Sequence, residues 1–372
     1  MRPIKVAWDN YLASQDKAGT VTYAARLLGQ FRNRADLELN VLTGWRPGSR
    51  SRSFAGRAVA TLRNIVWTQV SVPTKILKKR VDLLHAPAFL APVVWPSPVV
   101  ITIHDVTYIL YPSHFARWWT AYLGIVMPVA VRSAAAIICG SENSKADIGR
   151  TYAVPLSKVH VIPYGVDHDR FHPGITLDQR WAQTLGLREG YLLHVGTFSY
   201  RKNIPTVLRA ISYLRAKGKW GTRQLVLAGS QSEGMKGVQE VYDTIRELDL
   251  GSSVVLTGYV PDEHVPGLYA HASALVMPSL YEGFGFPVLE SMAVGTPVIA
   301  SNSSSLPEVA EDAAILVPPQ DVEAWAKAIE DVIESPTISS ELQRKGLARA
   351  RQFSWERTAE QTVAVYRSVA SG

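Results

Sequence analysis

Glu282 and Glu290 stand eight positions apart, and Gly-Phe-Gly-Phe-Pro (283–287) follows directly on the first of them. An apolar run ending at Met277 comes before, and Pro287 suits the first turn of a helix. Gly283 and Gly285 let the backbone come close to a ligand and offer N–H donors to hydroxyls or phosphate. Each carboxylate can accept hydrogen bonds from a vicinal diol, one on a sugar ring and one on a ribose. Spacing alone says little, because carboxylates at helix starts often serve only the helix dipole. The strand–loop–helix frame gives the pair its weight.

Tyr191 to Asn203 makes a second frame: a buried strand, a turn at Gly196, then the adjacent cations Arg201 and Lys202 before a helix. A pyrophosphate needs positive charge at a helix start, and two fixed cations can do the work of a divalent metal. The plain alternative is two surface cations. Val99 to Asp105 ends a third buried strand in His104 and Asp105, placed to project beyond the sheet. A core histidine is the alternative for His104, while Asp105 either orients the imidazole or receives an acceptor. Asp16 to Tyr23 places Gly19 before a helix, for a backbone approach to phosphate or acceptor. Ser141, in Gly140 to Lys145, reads equally as a helix cap.

Two features point away from metal. Asp167-His-Asp169 spells a pattern that elsewhere binds manganese or magnesium, but it lies within a crossing segment. The nine histidines show no metal-ligand spacing with cysteine or clustered carboxylates. No metal is expected.

These residues need strands and helices to hold them. Short apolar runs alternate with helix-period segments, the pattern of parallel sheets wrapped in helices. Strands are expected at 4–8, 37–42, 83–84, 99–103 and 136–139, and again at 191–195, 224–228, 253–256, 274–277, 297–300 and 314–317. Helices are expected at 20–32 and 117–133, and in the second half at 205–217, 238–248, 264–270, 287–293 and 322–334. An amphipathic tail helix follows Ser354. At 372 residues the chain exceeds one ordinary core. The division expected is 1–175, 176–353 and a terminal helix from 354 to 372.

With 47% apolar and 19% charged residues the chain is globular. Its single Cys139 suits a reducing, cytoplasmic setting, and no signal peptide is expected. The uncharged stretch from Trp118 to Val131 is too short to span a bilayer and reads as a buried or half-buried helix. Residues 1–175 carry 21 Lys and Arg against 10 Asp and Glu. Nine of those cations, from Arg46 to Arg80, meet no acidic residue. Such asymmetry suits an anionic partner. Interleaved Phe54, Leu62, Ile65, Val66 and Trp67 favour a membrane-adsorbing segment over nucleic-acid binding, with a solvated basic loop and helix as the alternative.

The segment from Met277 to Glu290 resembles the E-x7-E signature of retaining GT-B glycosyltransferases of family 4, glycosyl transferases group 1. The resemblance covers almost the whole chain and is strongest from Tyr191 to Pro318. It implies an α/β fold of two Rossmann-like doubly wound domains facing across a cleft, with the C-terminal helix returning to the first. It implies that Glu282 contacts the transferred sugar and Glu290 the ribose. Arg201 and Lys202 then hold the diphosphate, and His104 touches and orients the sugar. Gly19, Gly196, Gly283, Phe284 and Gly285 complete the donor-binding set. Family members often carry two glycines where this chain has Ala18-Gly19, which weakens that position.

The implied reaction retains anomeric configuration, needs no cofactor and moves a sugar from a nucleotide diphosphate to an acceptor hydroxyl. Residues 104–112 most resemble bacterial mannosyl- and rhamnosyltransferases of surface-polysaccharide assembly. GDP-mannose is therefore the favoured donor, before UDP-glucose or UDP-N-acetylglucosamine. A lipid-linked or oligosaccharide acceptor at the inner membrane face is the expected partner. A sugar-nucleotide epimerase, a binding protein with a dead site, and a starch- or glycogen-type synthase are the rivals.

Overall fold

A computed structural model describes residues 2–13, 19–44, 54–94, 97–112, 117–231 and 237–371. Asp16, Lys17 and Ala18 of the N-terminal loop, and Arg46, Arg50 and Arg52 of the basic segment, lie outside these. The chain forms two compact units, residues 1–165 with 355–372, and residues 166–354.

The first unit holds β1 (Ile4–Asp9), β2 (Leu37–Leu42), β3 (Leu83–Ala86), β4 (Val99–Thr102), β5 (Ala136–Cys139) and β6 (Val159–Val161), in the order β2-β1-β3-β4-β5-β6. The second holds β7 (Leu192–Val195), β8 (Leu225–Ala228), β9 (Val254–Gly258), β10 (Ala274–Met277), β11 (Val298–Ser301) and β12 (Ile315–Val317), in the order β12-β11-β10-β7-β8-β9. All pairings are parallel. Helices cover both faces of such sheets, so their strands are apolar throughout. Accordingly β3, β4, β5, β8, β10 and β11 are buried along their whole length.

Strand order in the second sheet reverses between β7 and β10. From β7 the chain moves outward to β8 and β9, and from β10 it moves the other way. Loops leaving the carboxyl ends of these two neighbours must diverge, which opens a crevice there. The first sheet reverses between β1 and β3.

The final helix, Trp355–Ser371, packs on the first sheet. Tyr366 is hydrogen-bonded to His85 Nδ1, and Thr358 Oγ1 donates to the Pro163 carbonyl at 2.8 Å. Trp355 lies against Tyr23, and Gln30 reaches Glu356 at 3.2 Å.

Some elements were not expected. Strand β6 is three residues long with His160 at its centre, too short and polar for the buried-strand pattern. The helix Pro336–Ala350 buries only Leu342, Gly346 and Ala350, a stripe at i, i+4 and i+8 with little apolar signal. Gly346 is small because Met292 lies against it: a Cβ there would stand 3.2 Å from Met292 Cγ.

Residues 54–77 form one helical run, with a π-helical turn at Trp67–Ser71. Trp67, Thr68, Val72 and Ile76 face inward. On the opposite side Val59, Leu62, Val70 and Leu77 are exposed by 65, 61, 54 and 65%, at spacings that keep them on one stripe. Lys75, Lys78, Lys79 and Arg80 are exposed beside it. The helix Arg117–Ser133 buries Leu123, Met127, Ala130 and Val131, and exposes Trp118, Ile125 and Val129.

Candidate functional site

The loops leaving β7 and β10 meet through charge. Lys202 Nζ donates to Glu282 Oε1 at 2.6 Å, and Arg201 Nη1 donates to Glu282 Oε2 and to the Tyr281 carbonyl, both at 2.9 Å. The loops also share a main-chain bond, Leu280 N–H to Arg201 O at 2.7 Å. Lys202 and Glu282 are buried and Arg201 is partly exposed. Burial alone would raise the Glu282 pKa, but the Arg201 and Lys202 charges outweigh it and bring it to about 2. Glu282 is thus a fixed anion holding two cations at the mouth of the crevice.

Asn203 turns the chain into the next helix, Ile204–Ala216, through a left-handed backbone with φ +52°. Its amide donates to the Pro278 and Pro319 carbonyls at 3.1 and 2.5 Å, fixing where Arg201 and Lys202 start. Gly196 lies beneath Lys202, and a Cβ there would stand 3.2 Å from Lys202 Nζ. Gly229 is tighter: at φ +152°, a Cβ would meet the Gly196 carbonyl oxygen at 1.9 Å. Gly229→Ala must displace the turn under Lys202. It should lower unfolding free energy by about 3 kcal/mol in a denaturant titration, at the upper end for overpacking.

Glu290 is not part of the ion-paired cluster. It lies half-buried on the helix Phe286–Val294 and accepts from Tyr269 Oη at 2.9 Å. Burial, opposed by the Tyr269 bond, raises its pKa to about 7. That helix begins after Gly285, whose φ of +113° suits glycine, and a Cβ there would stand 2.9 Å from Leu306 Cδ2. Gly283 is buried. Phe284 is buried too, edge-on to Phe286 and Phe353, so its ring serves packing.

Two contributions escaped the sequence reading. The loop after β11 clamps the Glu282 loop. Ser304 Oγ accepts from Glu282 N–H at 2.8 Å, Ser303 Oγ donates to Leu280 O at 2.7 Å, and Ser305 Oγ donates to Glu282 O and Phe284 O at 2.9 and 2.8 Å. The available signal was the run Ser303-Ser304-Ser305, just beyond a buried strand beside β10. His194, on β7, is the other. Its Nδ1 donates to Val276 O at 3.0 Å, while its buried Nε2 has no partner among the described residues. A buried acceptor left unpaired costs about 1–3 kcal/mol, so its presence asks for a reason.

In the first unit, His104 has both ring nitrogens engaged. Nε2 lies 3.0 Å from the Pro87 carbonyl, which can only accept, so Nε2 carries the proton and Nδ1 accepts from Tyr164 Oη at 2.8 Å. Burial, only partly offset by the Pro87 bond and Asp105, lowers its pKa to about 4. His104 is a neutral, oriented ring at ordinary pH. Asp105 Oδ1 accepts from Thr107 N–H at 2.9 Å, at the first residue of the short helix Thr107–Leu110. Ser141 caps the helix Glu142–Tyr152, accepting from Ser144 N–H at 3.1 Å. Gly19 opens the helix Gly19–Phe31 and is exposed. Buried Asp9 ends β1 at the reversal in the first sheet, accepting from Trp67 Nε1 at 3.0 Å and Tyr11 N–H at 3.1 Å. Burial, opposed by those two bonds, raises its pKa to about 6. Among the described residues no group of three or more His, Cys, Asp and Glu side chains has metal-holding geometry.

Comparison with known proteins now gives the family. Residues 177–352 match the glycosyl transferases group 1 model and residues 18–170 the glycosyltransferase family 4 model. The chain is 31% identical over 289 residues to O-antigen chain mannosyltransferase B of Escherichia coli, covering 77% of this chain and 74% of that one. The chain belongs to glycosyltransferase family 4 (group 1). This glycosyltransferase shares its fold with sucrose-phosphate synthase from Thermosynechococcus elongatus, at a TM-score of 0.75, 22% identity and 99% of each chain. It shares it also with HepE from Anabaena, solved in complex with UDP-glucose, at a TM-score of 0.73 and 20% identity over 98% of this chain and 100% of that one. The fold of the glycosyltransferase is GT-B, and the crevice between β7 and β10 lies in its group 1 region.

Proposed function

We propose that the enzyme moves a hexose, by preference mannose from GDP-mannose, onto a hydroxyl of a lipid-linked or saccharide acceptor, with retention of anomeric configuration. The observation that carries this is the Arg201–Glu282–Lys202 cluster at the strand-order reversal of the second sheet. Breaking the anomeric C–O bond sends its electron pair to the diphosphate oxygen. Two cations already fixed in a partly desolvated crevice stabilise that charge without reorganising and without a divalent metal. Glu282 accepts from sugar hydroxyls and Glu290 from the ribose diol. The acceptor oxygen then bonds the anomeric carbon on the departing face, and its proton passes to the leaving phosphate oxygen. The mannosyltransferase relative supports the sugar. The UDP-glucose bound by HepE keeps UDP-sugars as the second reading.

The Glu290 carboxylate must be ionised to accept two hydroxyl protons. With a free-enzyme pKa about 7, donor binding requires loss of that proton as pH falls. Donor KM should therefore rise as pH drops below about 7, towards ten-fold per unit. Glu290→Gln should flatten this limb. An initial-rate series from pH 5.5 to 8.5 in both proteins checks it.

The acceptor reading rests on the first unit's outward apolar stripe and neighbouring cations, which suit an anionic lipid surface. Among the described residues no helix is long and apolar enough to cross a membrane, so the contact proposed is peripheral.

The test is a panel of GDP- and UDP-sugars with chelator, with and without a lipid extract, reading free nucleoside diphosphate and the anomeric configuration of the product. Release from GDP-mannose, raised by extract and giving an α-linked product, supports the proposal. Interconversion of sugar nucleotides without release would make the chain an epimerase.

A further inference from the structure

His194 is 1% exposed, and its ring stands between β7 and β10 where they diverge. Because the Val276 carbonyl can only accept, Nδ1 holds the ring's hydrogen and Nε2 presents a bare lone pair. A Cβ built on Gly196 would stand 3.6 Å from Nε2, 3.2 Å from Lys202 Nζ and 3.1 Å from Lys202 Cε. The imidazole nitrogen and the ammonium thus border one small volume, kept open by a glycine. An ammonium has three protons to give, and Glu282 Oε1 takes one at 2.6 Å.

We propose that His194 is a positioning residue, whose Nε2 accepts a hydrogen bond from the Lys202 ammonium when a nucleoside diphosphate occupies the crevice. This rests on reading the crevice as the donor site. A bond to Nε2 fixes the direction of the ammonium and aims another of its protons at a phosphate oxygen. A carboxylate there would repel the diphosphate, and an imidazolium would repel Lys202. A neutral imidazole does neither, and burial beside the Lys202 charge keeps this one neutral, with a pKa of about 4.

Two substitutions separate this role from a structural one. Asparagine at 194 keeps an amide N–H near Nδ1 for Val276 but has no acceptor near Nε2. Glutamine puts its amide oxygen near Nε2 and gives up the Val276 bond. GDP and UDP are titrated calorimetrically into the parent, His194→Asn and His194→Gln, and into the same three with Lys202→Met. Affinity for the bound diphosphate should fall about ten-fold in His194→Asn, the scale of one hydrogen bond to a charged group, and stay near the parent's in His194→Gln. In the Lys202→Met background His194→Asn should make no further difference, the signature of action through Lys202. Unchanged affinity in His194→Asn, or an equal loss without Lys202, would overturn the inference. Failure of the parent to bind either diphosphate would overturn the donor-site reading itself.

Discussion

Glu282→Gln should lower kcat by about 10²–10³-fold and remove most transfer activity. The carboxylate anchors Arg201 through one oxygen and Lys202 through the other. An amide offers one acceptor and turns an N–H₂ group towards a cation, so one of the two loses its position. The buried Lys202 charge is then left without its anion, and breaking such a pair costs about 3–5 kcal/mol. Unfolding free energy should drop by an amount of that order, measured by denaturant titration at pH 7. The pH dependence has a definite sign. Glu282 has a folded pKa of about 2, below its ordinary value. Its contribution is therefore present above about pH 4.5 and is lost as the pH falls towards 2. Glu282→Gln should show a shallower acid limb than the parent.

Lys202→Met should lower kcat by a similar 10²–10³-fold while leaving the fold intact, because methionine fills the stem's place above Gly196. The lost charge is one that matters most as the diphosphate departs, so kcat should fall further than donor KM rises. Arginine should not rescue. Lys202 is buried over Gly196, and the larger planar guanidinium presents its donors in a different geometry from a compact ammonium. Steady-state kinetics on Lys202→Met and Lys202→Arg, with circular dichroism to confirm folding, decides this. A Lys202→Met enzyme within three-fold of the parent in kcat would remove the lysine from the charge-stabilising role.

Much of this was legible because the site lies in two strand–loop–helix frames. Val276-Met277 ends an unbroken apolar strand and Val195 one interrupted only by His194, and Gly196, Gly283 and Gly285 mark the turns after them. The residues that carry charge follow within a few positions. What pairs with what was not legible, since Glu282 meets Arg201 and Lys202 across about eighty residues, and only the adjacency of β7 and β10 brings them together. The serine clamp from the β11 loop was hidden because serine carries no periodic signal. His104 was legible as a strand-end polar residue, but its partners Tyr164 and Pro87 come from other elements, so its neutral, fully bonded state could not be read. The helix Pro336–Ala350 was missed because its packing stripe includes the small residues Gly346 and Ala350, and the burial of Gly346 depends on closeness to Met292 and not on hydrophobicity.

The Arg201–Glu282–Lys202 cluster is proposed to drive sugar transfer. The most direct measurement follows radiolabelled hexose from GDP-mannose into a lipid-extractable or saccharide product, in parallel for the parent and Glu282→Gln at equal folded concentration. Label should move to product with the parent, one nucleoside diphosphate released per hexose transferred, and fall by at least about a hundred-fold in the variant. Transfer by Glu282→Gln at the parent's rate would remove the cluster from the transfer step.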